Sequence, residues 1–598
     1  MKLSRLAIRN FRNFENLDVR LDGDIVIVGE NRVGKTNLIF ALRLVLDPSL
    51  PDSQRHLSMA DYWDGLSEIG SEDKITVEVE VTDFSEDLDL LALLTDFRIN
   101  DDHESVRLTY EFRPKADLES APCTDEDFEF ITYGGDSDAN RFGFDLRQRF
   151  PVEALPALRD AESDLQNWRR SPLKPLIEEA FVEVPIEGLD EVVDTIRQAT
   201  ESIVEFESIQ TLQEKIAQQF LAMSGPKQDV NPSLGITPLD TSRLNRNIRL
   251  LIDDGLRGIN EASLGSANLL FLALKLLFLQ HQIEVKARDH TLLAIEEPEA
   301  HLHPHLQRSV YSSVFNDIQA EPASPVSIVL TTHSPHIASV APLTSLVLLK
   351  SRDEGGTTGH SIASLSLTSD ERDDLARYLD VTRAEILFSR GVVLVEGDAE
   401  RFLLPVFADT LGLSFDKLGI TVCSVSGVNF APYIKLLSGL DIPFVLLTDW
   451  DPKNKSQALG INRTKRILKT IEKTRTGRDN TQNTQDLNKL VGDDDAFRKK
   501  AARHRIFLNS YTLEVDLFES GFNEVIIPVL REFGNTGKRK AAIDEWEEDP
   551  GKLNPHHYLA IINDVGKGRF AQRLASRAKG IEPPPYIANA MKRISKLV

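Results

Sequence analysis

Short apolar runs, each followed within two residues by a glycine or an acid, recur along the chain. They cover residues 25–28, 292–295, 392–395 and 444–447. Uninterrupted apolar runs of this length are typical of strands buried on both faces of a parallel sheet. Amphipathic stretches of helical period lie between them, so the pattern predicts an α/β protein. The carboxyl ends of its strands should meet at one edge, where ligands bind.

The first apolar run leads into a phosphate-binding loop. Residues 29–36 read GENRVGKT, and an apolar helical pattern follows at 37–42. In such a loop the backbone N–H groups face the nucleotide phosphates, the lysine neutralises their charge, and the hydroxyl reaches Mg²⁺. The sequence therefore predicts that the chain binds ATP or GTP with one magnesium ion. The predicted nucleotide-binding residues here are Gly29, Asn31, Gly34, Lys35, Thr36 and Asn37.

Further along the chain, acids and a histidine stand where nucleotide hydrolysis would use them. Glu296 and Glu297 end an apolar run, and His333 follows a short apolar run at 326–330. Glu296 is placed to orient Mg²⁺ through water, and Glu297 to act as general base on the attacking water. His333 is placed to hydrogen-bond near the γ-phosphate.

A signature-like motif precedes these acids. Ser263 and Gly265 open a strongly apolar helical stretch at 269–279. A hydroxyl and a free backbone at a helix N-terminus suit the γ-phosphate of ATP bound to a second subunit. The motif therefore predicts that the nucleotide site is completed by a partner chain.

Taken singly these motifs are weak, because an acidic pair before proline is more often a helix start and Ser-Leu-Gly more often a loop. In this order after the phosphate loop, the set resembles the ABC ATPases of the SMC, RecF and OLD type. Residues 8–14 also resemble the first strands of those proteins. The resemblance departs at Glu296, where most ABC proteins carry aspartate.

A long segment separates the phosphate loop from the signature. Residues 172–224 carry apolar positions at helical spacing, a pattern typical of amphipathic helices packed in a bundle. We interpret residues 172–230 as a helical dimerisation insert, because the signature requires a partner chain. The alternative is that these are ordinary helices of the ATPase.

A second group of acids marks the last third of the chain. Glu396 ends one apolar run, and Asp449 and Asp451 follow another. Acids at the ends of separate parallel strands converge on one sheet edge, and a spacing of two places both aspartates on one side of an extended backbone. Carboxylates without Cys or His select Mg²⁺ or Mn²⁺. The alternative is that the two aspartates are turn acids.

The glutamate followed by D-x-D is a Toprim pattern. An ABC ATPase joined to Toprim resembles the OLD-family nucleases, whose members include the Gabija nuclease subunit, and the likeness spans essentially the whole chain. It includes PALRD at 156–160 and LFSRG at 387–391. The resemblance implies a class 2 member, a homodimer or higher homo-oligomer with a role in phage defence. The resemblance leaves two alternatives open, a chain that works alone and one that works beside a helicase partner.

The resemblance also implies roles for individual residues. Glu396 and Lys567 would be catalytic, with Lys567 stabilising charge on the scissile phosphate while two ions hold the attacking water and departing oxygen in line. Asp398 and Asp516 are interpreted as secondary ligands or surface acids, and Thr512 as a neighbouring polar position. The predicted metal ligands are Glu396, Glu400, Asp449, Asp451 and Glu514.

Composition excludes some classes of protein. Cys123 and Cys423 support neither a zinc site nor a disulfide framework, and no apolar stretch approaches the ~20 residues that span a bilayer. The sequence thus predicts a cytoplasmic protein without a membrane partner. A net charge of −24 opposes nucleic-acid binding, but nine basic residues and one acid lie between 453 and 478. We interpret this basic segment as a DNA phosphate contact; the alternative is a solvated helix.

A chain of 598 residues requires several domains. We assign residues 1–171 and 231–370 to the two parts of an ABC ATPase, and 371–598 to a Toprim nuclease domain. The main hypothesis is a metal-dependent DNA endonuclease with ATPase activity. The first rival is an SMC- or RecF-like repair ATPase with a silent Toprim domain. A primase is disfavoured because the two cysteines exclude a cysteine zinc ribbon. A type II topoisomerase is disfavoured because its ATPase motifs follow a different order.

Overall fold

The fold was analysed in a computed structural model, in which the chain forms two compact units. The first unit comprises residues 1–155, 292–299 and 304–598, and the second comprises 156–291 and 300–303. The bounds of the four segments expected from the sequence stay predictions. The structure describes residues 1–84, 88–99, 102–118, 120–157, 160–182, 184–224, 232–234, 244–319, 325–352, 355–452, 458–477 and 482–598.

The strands alternate with helices through most of the chain. In chain order the strands are β1 Lys2–Phe11, β2 Phe14–Arg20, β3 Ile25–Gly29, β4 Ile75–Thr82, β5 Arg98–Ile99, β6 Asp102–Pro114, β7 Phe128–Gly134, β8 Val152–Leu155, β9 Leu251–Ile252, β10 Arg257–Gly258, β11 Thr291–Glu296, β12 Val326–Thr332, β13 Leu346–Ser351, β14 Thr357–Ser361, β15 Gly391–Val395, β16 Ile420–Ser424, β17 Phe444–Thr448 and β18 Ile506–Leu508.

The helices before residue 390 include the one that follows the phosphate loop. They are α1 Lys35–Leu46, α2 Asp52–Arg55, α3 Leu88–Leu94, α4 Phe144–Arg149, α5 Ala161–Gln166, α6 Leu173–Val182, α7 Ile186–Val204, α8 Glu207–Ser224, α9 Leu264–Glu284, α10 Pro304–Gln319, α11 Pro335–Ala338, α12 Ser369–Tyr378 and α13 Val381–Ala384.

The remaining helices surround the last four strands. They are α14 Asp398–Thr410, α15 Phe415–Leu418, α16 Ala431–Gly439, α17 Leu459–Thr476, α18 Gln482–Lys489, α19 Asp494–Arg503, α20 Leu513–Leu517, α21 Asn523–Glu532, α22 Lys538–Glu548, α23 Pro555–Val565, α24 Lys567–Ala575 and α25 Pro585–Ile594.

An antiparallel sheet forms the start of the first unit. Its order is β2-β1-β4-β6-β5, with β7 also paired to β6. Along β4, Ile75, Val77, Val79 and Val81 are completely buried, which is the two-residue period of a strand with one core face. These side chains share one hydrophobic core with the apolar face of α1, so the sheet fixes the helix that carries the phosphate loop.

The second sheet of this unit delivers the phosphate loop from its centre. The order is β14-β13-β3-β12-β11-β8, and β3 pairs in parallel with both β12 and β13. The predicted strand at 25–28 and the helix after the loop are therefore confirmed. Glycine is required at Gly29 because a Cβ there would lie 2.7 Å from the Leu349 carbonyl oxygen. Gly34 has φ +90°, and a Cβ there would overlap the side-chain amide of Asn13.

The third sheet of the first unit consists of four short parallel strands. Their order is β16-β15-β17-β18, and the strands predicted at 392–395 and 444–447 are confirmed as β15 and β17. All residues of both strands are buried, as expected for strands covered on both faces. The ends of β15, β17 and β18 therefore lie at one edge of this sheet.

The second unit is mainly helical. The helical pattern at 172–224 is confirmed, since α6, α7 and α8 cover most of it. Ser263 caps α9, because its hydroxyl oxygen accepts a hydrogen bond of 3.1 Å from the Ser266 backbone N–H. Gly265 is required by a close approach, since a Cβ there would lie 2.7 Å from the His301 carbonyl oxygen.

The expectation that no apolar stretch approaches membrane length was wrong for α9. Among the described residues, this helix alone is long and apolar enough to cross a bilayer by length and composition, with a mean hydropathy of 1.3. Its apolar pattern continues beyond residues 269–279 in both directions, interrupted by few charges. A single such helix is weak evidence for a membrane span, because core helices pass the same test.

Candidate functional site

The phosphate loop holds its lysine in place through backbone carbonyls. Lys35 Nζ donates hydrogen bonds to the carbonyl oxygens of Gly29 at 3.1 Å and Glu30 at 3.0 Å. Burial lowers the pKa of Lys35 below its usual value. The ammonium therefore lies inside the loop, at the centre of the space that a loop of this type offers to phosphates.

Two predicted magnesium-orienting residues are in direct contact. The Thr36 hydroxyl donates a 2.8 Å hydrogen bond to Glu296 Oε2. These side chains come from the start of α1 and the end of β11, which the central position of β3 brings close together. The longer glutamate side chain thus reaches the hydroxyl that is expected to bind the ion.

The predicted general base and the histidine also lie side by side. His333 Nε2 is 3.7 Å from Glu297 Oε1, and burial, followed by the charge of Lys35, lowers the pKa of His333. Glu297 has φ +43°, a left-handed conformation that is uncommon for a residue with a Cβ and often found at functional sites. The backbone at the end of β11 therefore turns sharply at the residue expected to polarise water.

Sequence reasoning missed the residue that fixes this turn. Glu299 accepts hydrogen bonds from the His333 backbone N–H at 2.6 Å and from the Thr332 hydroxyl at 2.9 Å. One acid thereby ties the end of β12 to the segment after β11. The only sequence signal was its place in the acidic run after residue 295.

The remaining predicted nucleotide residues are dispersed. Asn37 is bound to the first hairpin, donating to Asn13 Oδ1 at 2.7 Å and accepting from Arg12 Nη1 at 2.9 Å. Asn31 is exposed in the loop. Ser263 and Gly265 belong to the second unit.

An exposed ion pair links the phosphate loop to the segment before β15. Arg390 Nε lies 2.7 Å from Glu30 Oε1, and its Nη2 lies 3.0 Å from Glu30 Oε2. The hydrogen bond from Arg390 lowers the pKa of Glu30. A cavity of about 320 Å³ opens beside this loop and is also lined by His333 and Phe388.

At the edge of the third sheet, Glu396 is held through a single oxygen. Its Oε1 accepts hydrogen bonds from the Thr448 hydroxyl, from the Asp449 backbone N–H at 2.9 Å, and from the Arg463 guanidinium. Thr448 ends β17, so these contacts join the ends of two neighbouring strands. Convergence of Glu396 with the D-x-D segment at this edge is therefore observed.

The two aspartates do not follow the alternation of an extended strand. Asp451 has φ +51°, so the expectation that both side chains point to one side of an extended backbone was wrong. Asp449 Oδ1 instead accepts hydrogen bonds from the Asn509 amide and, at 3.2 Å, from the Leu513 backbone N–H. Asp451 Oδ2 accepts a 2.7 Å hydrogen bond from Arg463. The backbone turn and the arginine, rather than strand periodicity, orient Asp451.

The other two predicted ligands lie on helices. Glu400 follows one turn into α14, and burial raises its pKa to about 7, with Glu514 and Glu396 adding to the shift. Burial likewise raises the pKa of Asp449, and the four other acids add to it. The five predicted metal ligands therefore form one electrostatic group, which we call the acid group: Glu396, Glu400, Asp449, Asp451 and Glu514.

The predicted catalytic lysine, Lys567, lies beside the acid group. Lys567 Nζ lies 3.0 Å from Glu514 Oε1. Burial alone would lower the pKa of Lys567, but the charge of Glu514 and the hydrogen bond to it outweigh burial and raise that pKa. Lys567 is the first residue of α24, so the helix start aims a fixed positive charge at the acid group.

The donor set suits a hard divalent cation. Glu514 Oε2 and Thr512 Oγ1 are buried without a hydrogen-bond partner, which leaves oxygen donors beside the acid group. Carboxylate and hydroxyl oxygens are the ligands that Mg²⁺ and Mn²⁺ prefer. Within the described ranges, however, no three acids, histidines or cysteines are grouped closely enough to hold an ion. Arg463 and Lys567 lie among the acids and bind several of them.

Arg463 and Asn509 were missed as site residues. Arg463 had been counted in the basic segment, but only 7% of it is exposed, so that assignment was wrong for this residue. Asn509 directly follows β18, a position that could have been recognised from the strand pattern. In the described part of the basic segment, Arg466, Lys469, Lys473 and Arg475 are exposed, while Lys453, Lys455 and Arg478 lie outside the described residues.

Asp398 and Asp516 behave differently from each other. Asp398 is exposed at the first turn of α14. Asp516 is 7% exposed, so its interpretation as a surface acid was wrong. Its two oxygens accept hydrogen bonds from the Ser510 backbone N–H, the Ser510 hydroxyl and the Tyr511 backbone N–H at 2.7–3.0 Å. Asp516 therefore anchors the loop that leads from β18 to Glu514.

Replacing this loop anchor should destabilise the protein. We expect Asp516→Ala to lower the free energy of unfolding by about 1–3 kcal/mol, because three partly buried hydrogen bonds lose their charged acceptor. The measurement is the denaturant midpoint of the transition that reports on the third sheet. Glu519→Ala, an exposed acid three residues on, is the matched control. Equal midpoints for the two variants would contradict this anchoring role.

Comparison with known proteins agrees with the two sites. The family model "Overcoming lysogenization defect protein-like, TOPRIM domain" matches residues 387–451. An AAA domain model, described with the AbiEii toxin of Type IV TA systems, matches residues 25–339, which is more than half of the chain. The chain belongs to the OLD family of nucleases. It is an α/β protein with an N-terminal AAA/ABC-type ATPase and a C-terminal Toprim domain, as the motifs predicted.

Relatives of this OLD-family chain match over most of their length. Endonuclease GajA of Bacillus cereus (strain VD045) is 24% identical over 481 residues, covering 78% of this chain and 79% of the relative. The OLD nuclease of Thermus scotoductus is 25% identical over 482 residues, covering 75% and 82%. The solved C-terminal region of the Burkholderia pseudomallei OLD protein is 40% identical and covers 35% of this chain and 100% of that one, with a TM-score of 0.31.

Proposed function

We propose that this OLD-family chain is a divalent-metal-dependent DNA endonuclease that also binds and hydrolyses ATP. The observation that supports the nuclease most is the acid group. Five carboxylates from two strand ends and two helices interact electrostatically, and Lys567 contacts Glu514 at 3.0 Å. Neighbouring carboxylates repel one another and so lower the stability of the folded chain. Together with a lysine, they provide the charges that bind metal ions and a phosphodiester.

The acid group and its lysine would divide the chemistry between them. The acids would hold two Mg²⁺ or Mn²⁺ ions, which supply activation of water and stabilisation of the departing oxygen. Lys567, held beside Glu514, would stabilise negative charge on the scissile phosphate. Asn509 and Thr448 would keep Asp449 and Glu396 oriented through their hydrogen bonds. Thr512, with a buried unpaired hydroxyl oxygen, would be a further oxygen donor.

The ATPase site would work in a dimer. Lys35 and Thr36 would bind the phosphates and Mg²⁺ of ATP, while Glu297 would accept a proton from the attacking water. Ser263 at the start of α9 would contact the ATP of a second copy, so the assembly would be a homodimer or a higher homo-oligomer. The predicted dimerisation insert at 172–230, of which residues 183 and 225–230 lie outside the described residues, would contribute to that contact.

DNA is the substrate that the relatives favour. Two of them are named endonuclease or nuclease, and α17 presents exposed basic residues that suit a phosphate backbone. A cytoplasmic role in phage defence, alone or beside a helicase partner, is the family expectation for a class 2 member. These assignments stay predictions.

Plasmid cleavage tests the proposal. We expect the full chain to nick or cut supercoiled plasmid with Mg²⁺ or Mn²⁺ and to leave it intact in EDTA. Lys567→Ala should reduce the rate by about 100-fold or more, because a positioned charge on the phosphate is lost. Arg573→Ala, which removes an exposed charge from the same helix, is the control and should cut at the wild-type rate.

Intact plasmid with both metals would reject the nuclease and favour the rival, a repair ATPase of the SMC or RecF kind with a silent Toprim domain. Relaxation followed by religation would instead indicate topoisomerase chemistry. Equal losses in Lys567→Ala and Arg573→Ala would assign the lysine to DNA binding rather than to the reaction.

A further inference from the structure

Arg463 places a positive charge inside the acid group. It is 7% exposed, and its guanidinium donates to Glu396 Oε1, to the Thr448 hydroxyl at 2.8 Å, and to Asp451 Oδ2 at 2.7 Å. A guanidinium is always charged and forms its strongest contacts with carboxylates. A buried arginine therefore bridges two predicted metal ligands from different strand ends.

The start of α17 forces the arginine into this position. Gly460 packs directly on the D-x-D segment, since a Cβ there would lie 2.6 Å from the Asp449 carbonyl oxygen. The Gly460 N–H donates to the Trp450 carbonyl oxygen at 2.9 Å. Arg463 follows three residues later, so it lies on the helix face turned toward the acids. Arg466, one turn further on, is exposed.

The hydrogen bonds leave part of each acid free. Within the described part of the chain, the bonds to Glu396 all end on Oε1 and those to the Asp451 side chain on Oδ2. The other oxygen of each acid accepts none there. One positive charge thus compensates two carboxylates, while an oxygen on each is left for another cation.

We propose that Arg463 is a resident counter-cation that competes with the divalent metal for Glu396 and Asp451 and so sets the metal affinity of the site. This inference rests on the proposed function. Without metal, the guanidinium offsets repulsion between the acids. When a divalent ion binds, it meets acids that are already partly neutralised, so its affinity is lower than the acids alone would give. Arg463 thus acts on the metal site and not as a DNA contact of the basic segment.

The test measures Mn²⁺ binding and thermal stability of the full chain, without DNA. We expect Arg463→Gln to bind Mn²⁺ at least about tenfold more tightly by calorimetry, because one competing charge is gone. Its melting temperature in EDTA should fall below that of the wild type, and Mn²⁺ should recover most of the loss. Arg466→Gln removes the same charge from the exposed face of α17, and it should bind Mn²⁺ within about twofold of the wild type because solvent screens that charge.

A second variant covers the case in which Arg463→Gln does not fold. Arg463→Lys keeps one charge but lacks the planar fork that contacts two carboxylates at once. We expect it to bind Mn²⁺ about threefold more tightly than the wild type. Unchanged or weaker Mn²⁺ binding in the folded Arg463 variant overturns the inference.

The control separates this failure from failure of the proposed function. If the wild type binds no Mn²⁺, the metal-dependent nuclease itself is rejected. If the wild type binds Mn²⁺ and Arg466→Gln tightens binding as much as Arg463→Gln, general charge rather than the buried contact sets the affinity. That outcome also overturns the inference.

Discussion

Asp449→Asn is expected to abolish metal-dependent DNA cleavage while raising the melting temperature of the metal-free protein. Burial, followed by the charges of Glu400, Glu396, Glu514 and Asp451, raises the pKa of Asp449. An ionised Asp449 is therefore a cost to the folded state. The amide removes that charge and keeps the oxygen that accepts from Asn509 and Leu513. We expect at least about a 1,000-fold loss of cleavage rate and a gain of about 2–5 °C.

The stability gain should depend on pH in a defined direction. Glu400 has its pKa raised from 4.5 to about 7 in the folded chain. A folded acid with a raised pKa binds a proton that the unfolded chain has released, so metal-free stability falls as pH rises through this range. We expect the wild type to lose melting temperature between pH 5 and about pH 7 in EDTA, and Asp449→Asn to lose less, because one repelling charge is absent.

Asp398→Asn is the matched control, since Asp398 is an exposed acid near the same helix start. It should change neither the melting temperature in EDTA nor its pH dependence. A variant of Asp449 that melts below the wild type would show that this carboxylate is a structural anchor like Asp516. Retained cleavage in Asp449→Asn would remove it from the metal site.

Lys35→Ala and Glu297→Gln should each reduce ATP turnover by at least about 100-fold while leaving metal-dependent nicking at least partly intact. Lys35 lies inside the phosphate loop, and Glu297 stands at the strained turn beside His333. The acid group is built from residues beyond 395, so its own contacts persist in both variants. Phosphate release and plasmid nicking, measured on the same preparation, check the division.

Binding of labelled ATP distinguishes the two ATPase variants. Lys35→Ala should bind ATP weakly, because the charge that faces the phosphates is lost. Glu297→Gln should bind ATP as the wild type does and fail only in turnover. Loss of nicking in both variants would contradict the independence of the ATPase site and the acid group. A fragment of residues 371–598 that never cuts DNA with either metal would contradict them as well.

Local sequence pattern predicted most of the strands, and it placed Glu396 and the D-x-D segment at one sheet edge. The sequence correctly predicted the strands that lead to Gly29, Glu296, Glu396 and Asp449. Parallel strands buried on both faces have continuous apolar sequences, which are recognisable without a structure. Side chains that follow such runs were placed at the correct sheet edge for the same reason. Asn509 satisfied the rule too, as the residue after β18.

Features that depend on backbone turns and long-range packing could not be predicted from the sequence. Asp451 adopts a left-handed φ, which cancels the alternation on which its orientation was predicted. Arg463 lies within a basic run, and its burial depends on the tertiary packing of the helix start at Gly460 against Asp449. Asp516 looked like a surface acid because nothing local shows that its oxygens close a loop. Each depends on tertiary contacts that override local composition.

The ion pair between Glu30 and Arg390 gives ionic strength a selective effect on this protein. Both side chains are about half exposed, so added salt screens their attraction. The Arg463 contacts are buried and escape most of that screening. Moderate salt should therefore weaken the ion pair between the phosphate loop and the segment before β15, while the Arg463 contacts in the acid group persist. Raising the salt concentration of one preparation thus separates the effects of these two sets of charges.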